Sequence, residues 1–176
     1  MSQKLDLQLA PPILFLFGLS GAGKSYVGNL IGDHAGWYVY HADDDLTEEM
    51  IRALREHRPF DDNMRDEYFA VIVERIHQLR LQHERLVVTQ GVYKRRHREY
   101  LLKEIPGMEM ILVEATDASI LHRLDRRESG ISGASASALR LDFEYPADNC
   151  KVIVNQHGQE QVIEQLNAYF SPASIR

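Results

Sequence analysis

The chain has 176 residues, a formal net charge of −6 and one cysteine, with 44% hydrophobic and 26% charged residues. That length favours one domain able to bury about 70% of its unfolded surface, and the acidic balance argues against a general nucleic-acid binder. Lone Cys150 excludes an internal disulfide and points to a reducing cytoplasm, His77 and His83 are badly spaced for zinc, and neither a signal peptide nor an apolar run of membrane-spanning length is present.

Residues 1–10 read as a loose arm, and the tail "SPASIR" reads the same way. "ILFLF" within 12–17 is a continuous apolar run of strand length, fit for a buried parallel strand. It leads into "GLSGAGKS", Gly18–Ser25, which has the spacing G-x-x-x-x-G-K-[ST]. Gly18, Gly21 and Gly23 let the backbone turn so that several N–H groups, those of Leu19, Ser20 and Ala22 among them, face one hollow. Such a nest at a helix N-terminus holds phosphate oxygens. Lys24 would reach the β- and γ-phosphates, the Ser25 hydroxyl would bind Mg²⁺, and Tyr26, at the start of the following helix, 24–34, is a further nucleotide-binding candidate. A chance glycine-rich turn is the competing explanation; the order strand, loop, helix speaks against it.

"WYVYH", 37–41, reads as a second strand. Helical patterns follow over 46–56 and 62–83, the second with Met64, Tyr68, Val71, Ile72, Ile76 and Leu79 along one side. "RLVVTQ", 85–90, is a third strand, 94–104 a basic helix, and "MEMILVEA", 108–115, a fourth strand. A helix over 117–128 precedes the small, polar "ESGISGASAS", 128–137, which reads as a mobile lid. A short helix over 138–145, a strand over 150–155 and a helix over 158–170 complete the chain, the last with Val162, Ile163, Leu166 and Tyr169 inward. Alternating strands and helices imply one α/β domain over 1–176, with its core at about 12–170. The sheet is five-stranded and mostly parallel, with helices on both faces. Ligands of such sheets sit at the carboxyl ends of the strands, here Gly18–Ser25, Asp43–Asp45 and Gly91–Lys94.

The acids of "HADDDL" suit a helix N-terminus, which explains one or two of them. Their position facing the phosphate loop suits metal organisation by Asp43 and Asp44 and activation of an acceptor hydroxyl, with Asp44 as base and Asp45 beside the substrate. Lys94 and Arg65 are candidates for an anionic acceptor group, and Arg140 is a third. Arg95, Arg96 and His97 are expected at the surface. Arg123 and Arg127 share a helix face; Arg127 is expected to reach the phosphates as the lid closes, with Arg123 beside it.

Together these features resemble the gluconate kinase and shikimate kinase branch of P-loop kinases, over roughly 13–170. The D-G-D-D-L-H-P stretch of gluconate kinases corresponds to "ADDDLTE", 42–48, with Asp44 and Asp45 on its second and third acids and Ala42 on its first. The family's G-x-P-L-x-D-x-D-R-x-P-W-L corresponds to "HRPFDDNMRDEYF", 57–69, keeping Pro59, Asp62 and Arg65 but not the Trp. Its S-A-L-K-x-x-Y-R-D corresponds to "GVYKRRHRE", keeping Lys94 and Arg98. "RLDRR", 123–127, matches the arginine helix before the lid. The resemblance implies a P-loop kinase fold and transfer from ATP, with Mg²⁺, to a hydroxyl of a small, anionic acceptor such as gluconate or a related sugar acid. It also implies a cytoplasmic monomer or homodimer without nucleic-acid or membrane partners. Alternatives are a shikimate-type or nucleoside/nucleotide kinase, or a non-catalytic nucleotide-binding module. A guanine-recognising N-K-x-D is absent from the sequence.

Overall fold

The strand β1, Ile13–Phe17, has all five residues buried. Successive strand side chains point to opposite faces. Ile13, Phe15 and Phe17 therefore enter one apolar layer, and Leu14 and Leu16 enter the other. Such an unbroken apolar run belongs to a strand covered on both sides, and β1 is the central one. The computed structural model describes residues 2–125 and 141–175 as a single α/β domain. After β1 come α1 (Lys24–Ala35), β2 (Tyr38–His41), α2 (Glu48–Arg55), α3 (Asp62–Arg80), β3 (Leu86–Thr89), α4 (Arg95–Glu104), β4 (Met108–Glu114), α5 (Asp117–Asp125), β5 (Lys151–Val154) and α6 (Gln159–Phe170). The sheet order is β2-β3-β1-β4-β5, and every pair is parallel.

Met50 of α2, Tyr68, Ile72 and Ile76 of α3 and Leu101 of α4 cover the first face of β1. Val27 and Ile31 of α1 with Val162, Leu166 and Phe170 of α6 cover the second. Local chemistry fixes where two helices begin. The Thr47 hydroxyl accepts from the Met50 N–H at 3.2 Å, and the Asp61 carboxylate accepts from the Met64 N–H at 2.8 Å. Each cap satisfies a donor that the helix itself leaves without a partner.

The structure departs from the sequence expectations at several points. The N-terminal arm is not loose: Leu5, Leu7 and Ala10 are buried in the second layer. Asn167 of α6 holds the arm there, accepting from the Asp6 N–H at 2.8 Å and donating to the Lys4 carbonyl at 2.9 Å. The tail forms a 3₁₀ turn over Pro172–Ile175, tied to the arm by a Ser171 hydroxyl–Asp6 bond of 3.1 Å. On α3 the buried stripe includes Phe69 and Val73, while Val71 is exposed. On α6 the inward residue is Phe170; Tyr169 sits at the rim, its hydroxyl bonded to the N–H and carbonyl of Val152. Residues 143–147 are irregular rather than helical. Phe143 is drawn onto Phe17 and Tyr93, and the Glu144 N–H donates to the Tyr93 carbonyl at 2.8 Å, which takes the backbone away from helical pairing. The lid expected over 128–137, residues 138–140, and Arg127 and Arg140 lie outside the described residues. Among those described, no helix is long and apolar enough to cross a membrane.

Candidate active site

The loop between β1 and α1 stands at the carboxyl end of the central strand, between its neighbours β3 and β4. Gly18 enters it at φ 147°, where an added Cβ would lie 2.4 Å from the backbone oxygen of Val113 in β4. Gly23 has φ 97°, and its Cβ would meet the Asn155 amide nitrogen at 2.0 Å. Loop carbonyls are turned outward and held. Arg123 donates to Gly21 O at 3.1 Å and Ala22 O at 3.0 Å, and its other nitrogen donates to Asn155 O at 3.0 Å. The Asn155 side chain donates to Ala22 O at 3.1 Å. These carbonyls are engaged, and the Ala22 N–H is taken within the loop, donating to the Leu19 carbonyl at 3.1 Å instead of facing the phosphate hollow. Lys24 Nζ crosses the loop, donating to Gly18 O at 3.2 Å and Leu19 O at 2.9 Å. Gly18→Ala should cost about 3 kcal/mol, since neither β4 nor the left-handed backbone can yield cheaply; a chemical denaturation curve measures it.

A cavity of about 730 Å³ opens in front of the loop. Ser20, Gly21, Gly23, Lys24, Ser25 and Tyr26 line one part of it, and Arg123 borders them. Leu19 and Ala22 face a separate hollow of about 130 Å³ on the other side. Asp43, Arg65, Gly91 and Lys94 line the rest, together with Gln90 and side chains of α2 and α3.

The three acids separate. They lie on a 3₁₀ turn, Ala42–Asp45, where successive side chains fan about 120° apart. Asp43 and Asp44 are both exposed, but only Asp43 lines the cavity. Asp45 points elsewhere, into an ion pair with Arg75 at 3.0 Å and a 2.7 Å bond from the Tyr40 hydroxyl. The Arg75 hydrogen bond, helped by that from Tyr40, holds the Asp45 carboxyl below its ordinary range. Of the three acids, Asp43 thus lines the cavity, Asp44 does not, and Asp45 is held by Arg75 and Tyr40. Asp43 is oriented by Gln90, whose amide donates to it at 2.8 Å. Gln90 also donates to the Tyr68 hydroxyl, and that hydroxyl donates to the Ala42 carbonyl.

On the acceptor side, Arg65 and Lys94 stand with the Asp142 carboxylate between them, 3.9 and 4.0 Å away respectively. Arg98 is buried and donates to the carbonyls of Val92, Tyr93 and Glu144, fixing the segment that carries Lys94. His97 is not at the surface: it is 3% exposed, packs on Phe69 and bonds Asp66 through Nε2 at 2.7 Å. Burial pushes its pKa below the ordinary value, against the pull of Asp66. A histidine held neutral in the fold stabilises it above the unfolded pKa and loses that contribution as pH falls through it. The melting temperature should therefore drop on going from pH 7 to pH 5, and His97→Asn should flatten that drop.

No family model matches the chain. A gluconokinase of Gluconobacter oxydans (strain 621H) is 25% identical over 168 residues, 94% of each chain. The crystal structure of a gluconokinase from Sinorhizobium meliloti 1021 superposes with a TM-score of 0.75 at 22% identity, covering 94% of this chain and 97% of that one. A shikimate kinase from Acinetobacter baumannii, in complex with shikimate, gives 0.56 at 14% identity over 96% of each. The chain has the fold of the P-loop kinases and is similar to the gluconate and shikimate kinase-like family.

Within this kinase fold, sequence reasoning missed three features. Asn155 and Gln90 are polar residues at strand ends whose work depends on contacts over 133 and 47 positions of chain. Their placement directly after β5 and β3 was the available signal. The third is the apolar wall that α2 and the following loop give the kinase cavity, formed by Leu46, Met50, Leu54 and Phe60. Among the described residues no group of three or more His, Cys, Asp or Glu is arranged to hold a metal ion.

Proposed function

We propose that the chain transfers the γ-phosphoryl group of ATP to a hydroxyl of gluconate or a related sugar acid. The observation that carries this is Asp43: a carboxylate, held by Gln90, lining the same cavity as Lys24 and the phosphate loop. The 94% coverage of the Gluconobacter gluconokinase supports the acceptor class. In the proposed reaction the acceptor oxygen forms a bond to phosphorus as the bond to the ADP oxygen breaks. The hydroxyl proton passes to the Asp43 carboxylate. Lys24 and the loop N–H groups hold the phosphates, and Arg65 and Lys94 hold the acceptor's carboxylate.

The donor set fits Mg²⁺. Ser25 and Asp43 are oxygen donors lining one cavity, and Mg²⁺ asks for only one or two protein ligands beside phosphates and water. When bound it would neutralise charge on the phosphates. Ser25 and Asp43 would be its protein contacts, directly or through water.

The test is ADP release at saturating Mg-ATP, with and without D-gluconate and other sugar acids. The reading expects at least one sugar acid to stimulate release well above the background. If none of them does, the acceptor class is wrong.

A further inference from the structure

Among the described residues, the acceptor part of the cavity has few polar groups that are not already engaged. Gln90 spends its amide nitrogen on Asp43 and Tyr68, and its amide oxygen accepts from the Gly91 N–H at 2.7 Å. The Tyr68 hydroxyl is committed to the Ala42 carbonyl. His97 gives Nε2 to Asp66, and its Nδ1 is buried without a partner. What remains among the described residues is Asp43 at the transfer end, the Tyr93 hydroxyl, and the Arg65–Lys94 pair, which faces Asp62 and Glu144 and has the Asp142 carboxylate marking a place for an anion between the two cations. The lining from the α2 side is carbon: Leu46, Met50, Leu54 and Phe60, with Phe69 beside them.

A fully hydroxylated acid laid along this wall would strip water from hydroxyls and give them no partner. Each such hydroxyl is unfavourable to bury, whereas a CH₂ there is favourable. We propose that the preferred acceptor is a hydroxy acid with an unhydroxylated carbon face: its carboxylate lies between Arg65 and Lys94, its reacting hydroxyl lies at Asp43, and its bare carbons lie on Leu46, Met50, Leu54 and Phe60. This rests on the kinase reading above and narrows its acceptor.

The experiment compares D-gluconate with its 2-deoxy, 3-deoxy and 4-deoxy analogues. Binding is measured calorimetrically in the presence of a non-hydrolysable ATP analogue, and turnover is measured beside it with Mg-ATP. At least one deoxy acid should bind about tenfold more tightly than gluconate, the size of effect expected from leaving one hydroxyl unpaired. Leu54→Asn, a change on a partly exposed helix position, should shift the ranking back toward gluconate. Gluconate binding as tightly as every deoxy analogue, or a ranking that Leu54→Asn leaves unchanged, would overturn the proposal. So would failure of all four acids to bind. Binding with the expected ranking but no turnover would overturn the kinase reading and leave the acceptor preference standing.

Discussion

Lys24→Ala lowers kcat/KM for ATP by at least about a hundredfold. That is the order of loss when one preorganised group is removed from a phosphate or oxyanion site. The reason is positional. The ammonium lies across the loop within 3.2 Å of two of its carbonyls, so it needs little rearrangement to meet a phosphate placed in the nest. A transition state with charge spread over the transferred oxygens depends on such fixed positive charge more than on covalent chemistry. Stability should change little, because the side chain borders a cavity and does not belong to either apolar layer. Steady-state ADP release and a thermal melt on the same preparation separate the two effects.

Asp43→Asn lowers kcat by about 10²- to 10⁴-fold, the range for loss of a positioned general base. The amide keeps an oxygen for Gln90 to donate to, so the geometry survives while the proton acceptor is lost. Acceptor KM should change much less than kcat. Asp44→Asn is the matched comparison. It alters the neighbouring charge equally, but Asp44 does not line the cavity, and kcat should stay near that of the unaltered protein. A larger loss at Asp44 than at Asp43 would return the base to the position that the sequence favours.

The layers and the loop were readable because their signals are local. "ILFLF" announces a doubly covered strand through its lack of polar alternation, and "GLSGAGKS" carries its own turn chemistry. The acids were legible as a group but not one by one. Their assignment depends on a 120° fan and on Arg75 and Gln90, which are 30 and 47 residues away. His97 was misjudged for a related reason: it sits inside a basic run that reads as solvated, yet Phe69 and Asp66 from α3 enclose it. The N-terminal arm was misread although Leu5, Leu7 and Leu9 alternate with polar residues: the alternation is short, and Leu9 is exposed while Ala10 is buried. Only the contacts with α6 reveal that Asn167 pins the backbone of the arm at Lys4 and Asp6.

The fate of the phosphoryl group decides between transfer to an acceptor and hydrolysis. Phosphorus NMR of a reaction with Mg-ATP and the best-binding sugar acid would follow it. The prediction is a new phosphomonoester on the acid that grows one for one with ADP and is lost with Asp43→Asn. ADP accompanied only by inorganic phosphate, at a rate independent of the acid, would contradict phosphoryl transfer to an acceptor hydroxyl.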